Sequence, residues 1–151
     1  MAEVDIGVQT GAKPNQGALS VQINSGWVGH EGAPVDALER LRSVAPSVLP
    51  LEYYQLLAGS NGGEGELPDP FFTLCLDPAE TASDLEQIEM FADIAPGLFV
   101  FGSDGGGQLF AFDTRGEAPL PIVSFDGVDP DASLCRVAGS FAELLTLIGR
   151  E

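Results

Sequence analysis

Apolar residues recur every three or four positions in two neighbouring segments, which is the spacing of amphipathic helices. The first helix is expected to begin at Pro34, since proline fits the first turn, and to stop at Pro46. The second begins at Pro50 and ends at residues 60–63, Ser-Asn-Gly-Gly, which tolerate a left-handed C-cap. The pattern therefore predicts two helices joined by a short connection.

Two further helices carry their own start signals. Ser83 and Glu86 form one predicted capping box, and Ser140 and Glu143 form another. The apolar stripe of each helix is expected to face the core. These stripes are Leu85, Ile88, Phe91 and Ala92 in the earlier helix, and Phe141, Leu144, Leu145 and Ile148 in the later one.

Shorter runs that alternate between apolar and polar residues, or are wholly apolar, predict strands. They lie at residues 19–24, 71–76, 98–101, 108–113, 121–125 and 134–138. The linker at 102–107 is too short for a crossover helix, so the strands on either side of it should form an antiparallel hairpin. Pro119 and Pro121 should push the strand at 121–125 towards a sheet edge or delay its pairing.

The expected fold class is α+β, with a mostly antiparallel or mixed sheet of roughly four to six strands covered by about four helices. Residues 1–33 are rich in glycine and weakly patterned, which predicts an N-terminal extension made of a loop or hairpin. Residues 34–151 then form the domain itself. A chain of 151 residues is long enough for one domain with a substantial core.

The charge balance excludes whole classes of partner. The chain has 23 acidic and 6 basic residues, a net charge of -17, and Lys13 as its single lysine. Such a chain lacks the cations that displace counterions from a nucleic acid, and an anionic membrane surface would repel it. We therefore expect no nucleic-acid and no membrane partner, whereas a basic protein partner fits.

The compartment is indicated by the N-terminus and the cysteines. Glu3 and Asp5 stand where a secretory signal would carry positive charge, and no apolar segment follows them. Cys75 and Cys135 lie in apolar runs and are expected to be buried free thiols, with a disulfide as the alternative. These features favour a cytoplasmic protein.

Catalytic and cofactor motifs are not found in the sequence. His30 is the only histidine, and neither glycine-flanked serine matches a nucleophile elbow. The glycines at 105–107 precede an apolar strand and lack the lysine of a phosphate-binding loop, which favours a tight turn. Asp126, Asp129 and Asp131 do not match a calcium-binding loop. We expect no metal and no cofactor.

Acidic residues are concentrated where bases are missing. No base lies between Arg42 and Arg115, whereas twelve acids do. On a helix, Glu86, Glu89 and Asp93 share a sector of about 60°, opposite the predicted core stripe. Like charges at this spacing cost a few tenths of a kcal/mol per pair. A basic partner covering these acids would offset the cost, and the alternative is an ordinary solvated face.

Three segments, in their order and spacing, resemble the SUKH superfamily, whose domain also occurs in a fungal regulator of cell-wall synthesis. They are LPLEYYQLLAGSNGGEG at 49–65, PGLFVFGSDGGGQLFAFDTR at 96–115 and GSFAELL at 139–145. The resemblance implies an α+β domain that binds proteins and does not turn over a substrate. It also implies a role, since many bacterial members are immunity proteins that neutralise a cognate toxin, often a nuclease.

The residues that match the family motif are expected to hold caps and turns. They are Leu49, Pro50, Tyr54, Asn61, Gly62, Gly63, Gly102, Gly105, Gly107 and Asp113. The residues that bind the partner are expected among the exposed acids. These candidates are Glu64, Glu66, Asp69, Glu86, Glu89, Asp93 and Asp104, the last of which also matches the family motif.

Together these features predict a non-catalytic protein-binding domain. The favoured function is an immunity protein that neutralises a basic toxin, such as a nuclease, through an acidic surface. The alternatives are a regulatory scaffold or adaptor without a toxin partner and, with less support, a metal-dependent hydrolase. The sequence does not predict the oligomeric state.

Overall fold

The structure is a computed structural model that describes residues 26–68 and 73–149, together with strands at residues 3–6 and 21–24. This part of the chain contains nine strands and six helices. The strands are β1 (Glu3–Ile6), β2 (Val21–Asn24), β3 (Val28–Gly29), β4 (Gly63–Glu66), β5 (Thr73–Leu76), β6 (Leu98–Ser103), β7 (Gln108–Asp113), β8 (Ile122–Asp126) and β9 (Cys135–Ala138). The helices are α1 (Val35–Val44), α2 (Leu51–Gly59), α3 (Ala79–Ala82), α4 (Leu85–Ile94), α5 (Pro130–Ser133) and α6 (Phe141–Leu147).

Strands β3 to β9 form one sheet in sequence order, and every neighbouring pair in it is antiparallel. Strands β1 and β2 form a separate antiparallel pair. The α+β class is confirmed, but the main sheet has seven strands because the apolar pattern predicts neither β3 nor β4. The four predicted helices are present, and α3 and α5 each add a single turn.

Trp27 explains the unusual Gly-Glu-Gly-Glu sequence of β4. Its indole is 7% exposed and lies across the inward face of this strand. A Cβ atom on Gly63 or Gly65 would stand within 3.0 Å of the indole, so both inward positions are glycine and both outward positions are glutamate. The domain boundary at residue 33 stays a prediction, while Trp27 and β3 belong to the same core and sheet as the later residues.

The main core lies between one face of the sheet and helices α1, α2 and α6. At its centre four aromatic rings meet with their centroids 4.8 to 6.0 Å apart. These rings belong to Tyr53, Phe101, Phe112 and Phe141. The opposite face of the sheet carries a smaller apolar cluster, against which Phe91 of α4 packs. Ile88 of α4 packs against the main core as well, so helix α4 contacts both apolar clusters.

Helix α4 begins one residue later than the sequence predicts. Asp84 is its N-cap, and the Asp84 carboxylate accepts a hydrogen bond from the Glu86 N–H at 3.1 Å. Ser83 instead ends the unpredicted helix α3, so the capping box at Ser83 is wrong. At the other predicted box the serine cap is confirmed, since Ser140 Oγ accepts from the Glu143 N–H at 3.0 Å, whereas the Glu143 carboxylate accepts from the N–H of Gly139 and not of Ser140.

Three other local expectations are wrong. Helix α2 ends in the extended residue Ser60, and within residues 60–63 positive φ values occur at Gly62 (101°) and Gly63 (133°), where the chain turns into β4. Strand β8 pairs with both β7 and β9, so it does not lie at an edge, although its pairing begins only at Ile122, after both prolines. Both thiols are free as expected, but Cys75 is half-buried and Cys135 is exposed. Of the predicted strand at 71–76, residues 71 and 72 lie outside the described residues.

Candidate protein-binding surface

Helix α4 lies on the sheet without a single fully buried residue. Ile88 and Phe91 are half-buried and make its apolar contacts, as the predicted core stripe requires. Leu85 and Ala92 of that stripe are exposed, so this half of the prediction is wrong. The helix ends where the N–H of buried Ala95 donates to Phe91 O at 2.7 Å. It is therefore fixed at both ends but only lightly covered.

Large apolar side chains of α4 face solvent. Leu85, Met90 and Ile94 are 49%, 50% and 39% exposed. Sequence reasoning missed Met90 and Ile94, although a signal was available. At 100° per residue the apolar positions of α4 span an arc of about 220°, whereas one buried face needs roughly 100°. The excess apolar residues had to lie outside the core.

The predicted acids of α4 lie between these apolar side chains. Glu86, Glu89 and Asp93 are exposed and point away from the sheet. Within the described residues, none of them lies within ion-pair distance of a base. We call this set the α4 surface. It comprises Leu85, Glu86, Glu89, Met90, Asp93 and Ile94.

A second group of predicted acids surrounds Cys75. Glu64 is the cross-strand partner of Cys75, and the exposed Glu66 lies on the same face of β4. Burial raises the pKa of the Cys75 thiol, and the carboxylates of Glu64, Asp104 and Asp77 raise it further. A thiol with a raised pKa is a poor nucleophile. The structure therefore brings Glu64 and Asp104 together at a thiol of low reactivity.

The acidic group around Cys75 lies on the face of the sheet that carries the small apolar cluster, against which Phe91 of α4 packs. Cys75, Ser103, Leu109 and Phe125 are successive cross-strand partners and so share one face. Leu109 and Phe125 belong to the small cluster on which α4 packs. Of the remaining candidates, Asp69 lies outside the described residues.

Asp104 also has a local structural task. Its Oδ1 atom accepts hydrogen bonds from the N–H groups of Gly106 at 2.7 Å and Gln108 at 3.3 Å. Gly105, at the same turn, has a φ of 84°. The carboxylate thus closes the turn between β6 and β7, as expected for a glycine-rich hairpin.

The residues of the family motif make their contacts within the fold. Leu49 and Tyr54 are buried, and Pro50 is the N-cap of α2. Asn61 donates from Nδ2 to Glu80 Oε1 at 2.8 Å and accepts at Oδ1 from the Ala79 N–H at 2.7 Å. It thereby ties the loop after α2 to the start of α3. The structural role of the family-motif residues stays a prediction, and their contacts are those that such a role requires.

Ser60 and His30 meet, but not in the manner of a catalytic pair. The donor is the backbone N–H of His30, which lies 3.0 Å from Ser60 Oγ, and the His30 residue is exposed. Ser60 Oγ donates to Gly62 O at 2.6 Å and accepts from Trp27 Nε1 at 3.4 Å. The buried hydroxyl therefore holds β3 against the end of α2.

Other chemical features of the described residues are few. No group of three His, Cys, Asp or Glu residues there is arranged to hold a metal ion. No helix in the same residues has the length and apolar character needed to cross a bilayer. One titratable group that the sequence did not single out is Asp77, whose pKa is raised to about 6 by burial. The sequence feature that could have identified Asp77 is its position between an apolar strand and Pro78.

Comparison with known proteins gives one family. No curated protein matches the chain, whereas the sequence profile of the SMI1 / KNR4 family (SUKH-1) matches residues 32–147. The match covers more than half of the chain and includes α1 to α6 with strands β4 to β9. It confirms the resemblance carried by the three motif segments. The chain therefore belongs to the SMI1 / KNR4 family (SUKH-1).

Proposed function

We propose that this protein is a non-catalytic immunity protein, which binds and neutralises a basic toxin domain through the α4 surface. Family membership supports a protein-binding role. The observation that carries the proposal is the position of Glu86, Glu89 and Asp93, which are exposed on one sector of α4 without a base beside them in the described residues.

The charge of the surface suits an inhibitor of a phosphate-binding toxin. A nuclease grips its substrate with Lys and Arg, so the surface to be blocked is basic. Acids that face such a surface steer the encounter and raise the association rate, and salt screens this effect. Like charges on α4 destabilise the free protein slightly. A bound basic partner would offset that loss.

The exposed apolar side chains of the α4 surface are expected to slow dissociation of the partner. Charges at the rim of an interface act mainly on the association rate, whereas desolvated apolar contacts slow dissociation. Leu85 lies on one side of the acidic sector, and Met90 and Ile94 lie on the other. The α4 surface therefore combines a steering element with contacts that retain the partner.

The test takes any basic protein that is encoded beside this gene as the candidate partner. Two variants that each lose three exposed carboxylates are compared. The α4 variant carries Glu86→Gln, Glu89→Gln and Asp93→Asn, and the control carries Glu39→Gln, Glu52→Gln and Glu117→Gln, all outside α4. The association rate constant of each is measured over a range of salt concentrations.

We expect the α4 variant to associate about tenfold more slowly at low salt, with a flatter salt dependence. The control should change the rate by less than about twofold. Equal rates for the two variants would contradict the α4 surface as the steering element. Failure of the neighbouring protein to bind, with tight binding of a partner encoded elsewhere, would favour the regulatory scaffold instead.

A further inference from the structure

A cavity of about 320 Å³ lies between α4, the end of α1 and strand β6. Ile88 and Phe91 form its wall on α4, and Leu98 and Val100 form its floor on β6. None of the residues that line it is charged. We call this cavity the α4 groove.

Small residues keep the α4 groove open. Ala45 at the C-cap of α1, Ala92 of α4 and Gly97 after α4 all border it, where larger side chains would fill the space. Protein interiors are normally close-packed, so an apolar cavity at the surface is available for an occupant. The volume is sufficient for one large side chain. It lies at the lower end of the range for small-molecule pockets, about 300–1,000 Å³.

The charges around the α4 groove select the occupant. Glu89 lies three residues before Ala92 on the exposed side of α4, and it has no base at ion-pair distance in the described residues. Arg115 also reaches the groove, because its Cγ stands 2.5 Å from where a Cβ on Gly97 would be. Its guanidinium is already paired with Asp113 at 2.9 Å. Among the described residues that line the groove there is no cation, whereas Glu89 stands one helical turn from Ala92 without a described base at ion-pair distance, so a cationic occupant is favoured over an anionic one.

We infer that the α4 groove receives one aromatic or long aliphatic side chain from a Lys- and Arg-rich segment of the protein partner. The inference rests on the proposed function and specifies how the α4 surface holds its partner. The apolar side chain enters past Ala92 between α4 and β6. The flanking cations then reach Glu86, Glu89 and Asp93. An anchor side chain in a pocket, surrounded by rim charges, is the usual arrangement of an interface hot spot.

The test uses three short synthetic peptides, so it does not depend on knowing the partner. The first is rich in Lys and Arg with one central Trp, the second has Ala in place of that Trp, and the third has the Trp between Ser and Gly residues. Affinities are measured by NMR titration of the full chain. We expect the first peptide to bind at least about tenfold more tightly than either of the others, and to shift the amide signals of Ile88, Phe91 and Leu98.

A matched pair of variants tests the site. Ala92→Trp places a large side chain at the mouth of the α4 groove and leaves its charge unchanged. Ala142→Trp makes the same change at an exposed position of α6. We expect Ala92→Trp to remove the tenfold preference for the Trp peptide, and Ala142→Trp to leave it intact. The comparison of peptides on the wild-type chain decides the matter even if Ala92→Trp does not fold.

Each other outcome overturns the inference in its own way. Equal affinity for the Trp and Ala peptides shows that no side chain enters the groove, and salt-sensitive binding of both would leave the proposed function standing. Equal affinity for the basic and uncharged Trp peptides shows a general apolar site without charge selection. If none of the peptides binds, the groove is not an anchor site, and the proposed function then depends on the association rates alone.

Discussion

Asp113 and Arg115 form a bidentate ion pair, with Arg115 Nε 2.9 Å from Asp113 Oδ1 and Arg115 Nη2 3.0 Å from Asp113 Oδ2. The hydrogen bonds from the guanidinium hold the pKa of Asp113 below its ordinary value. This is the one ion pair in the part of the chain that the structure describes. The other described acids lie beyond ion-pair distance of a described base, so within these residues no further ion pair offsets the repulsion between neighbouring carboxylates.

Glu89 should show this repulsion most clearly. It lies three residues after Glu86 and four before Asp93, so it faces both. Glu89→Lys replaces two repulsions with two attractions, and we expect the free energy of unfolding to rise by about 0.5–1 kcal/mol at low salt. The gain should shrink at high salt because the charges are screened. Urea unfolding at two salt concentrations measures it.

The matched control for this prediction is Glu52→Lys, which makes the same change of charge at an exposed residue in the first turn of α2. A lysine there opposes the helix dipole, so no gain is expected. An equal gain in both variants would show that overall net charge, and not the spacing on α4, limits stability. Glu89→Lys should also weaken binding of a basic partner, which would make stability and function oppose each other at this position.

Tyr53 carries a hydroxyl that is buried in the aromatic core without a hydrogen-bond partner, the one such side-chain atom found in the described residues. Burial, the charge of Asp77 and the neighbouring Tyr54 raise the pKa of this hydroxyl, so it stays protonated. An unpaired buried polar group costs about 1–3 kcal/mol. We expect Tyr53→Phe to raise the free energy of unfolding by about 1 kcal/mol, measured by urea denaturation. A loss of stability in this variant would contradict the unpaired hydroxyl.

Asp77 should make stability depend on pH. Burial raises the pKa of this half-buried carboxyl from 3.8 to about 6, so the folded state holds its proton more tightly than the unfolded state. Below about pH 4 the carboxyl is largely neutral in the folded state and buries no charge, so the protein keeps its full stability there. As the pH rises through about 6 the carboxyl ionises in its buried site, and this part of the free energy of unfolding is lost. Because the side chain is partly solvated, the loss stays below the roughly 3 kcal/mol that such a shift represents.

The variant Asp77→Asn isolates this contribution because it has nearly the same shape and no charge. We expect the variant to be more stable than the wild type at about pH 7, and the difference to vanish towards about pH 4. Urea unfolding at both pH values measures the difference. A constant difference between the two chains across this range would show that the carboxyl does not titrate there.

Gly102 and Gly107 belong to the same family motif but differ in their surroundings. A Cβ on Gly102 would stand 2.5 Å from the backbone oxygen of Cys75, whereas a Cβ on Gly107 meets nothing within 4 Å. We expect Gly102→Ala to destabilise the fold by about 1–3 kcal/mol and Gly107→Ala to change it by less than about 0.5 kcal/mol. Thermal unfolding of the two variants measures both effects. Similar melting temperatures would mean that the strands separate easily at Gly102.

Helix positions could be predicted from the sequence where local chemistry decides them. Pro34, Pro46 and Pro50 restrict their own backbone and that of their neighbours, so the limits of α1 and the start of α2 follow from the residues alone. The same holds for Ser140, whose hydroxyl caps α6. In each case the residue that sets the limit lies at the helix end itself.

Strand β4 could not be predicted because its cause lies elsewhere in the chain. Gly63 and Gly65 have low strand preference, and their place in the sheet depends on Trp27, which fills the space that side chains would occupy. The closeness of Glu64 and Asp104 likewise depends on β5 lying between β4 and β6. Local patterns do not carry such information. They identified the acids of the candidate surface but not how those acids are grouped.

Trp27 has one more consequence, because it is the sole tryptophan of the chain and packs against β4. Its fluorescence emission reports whether Trp27 is packed against the sheet. Helix α4 contains no tryptophan, so it adds nothing to this emission. Charge variants of α4 that keep the wild-type emission spectrum have therefore kept the packing of Trp27 against β4. The protein thus contains an optical probe that separates lost recognition from lost structure.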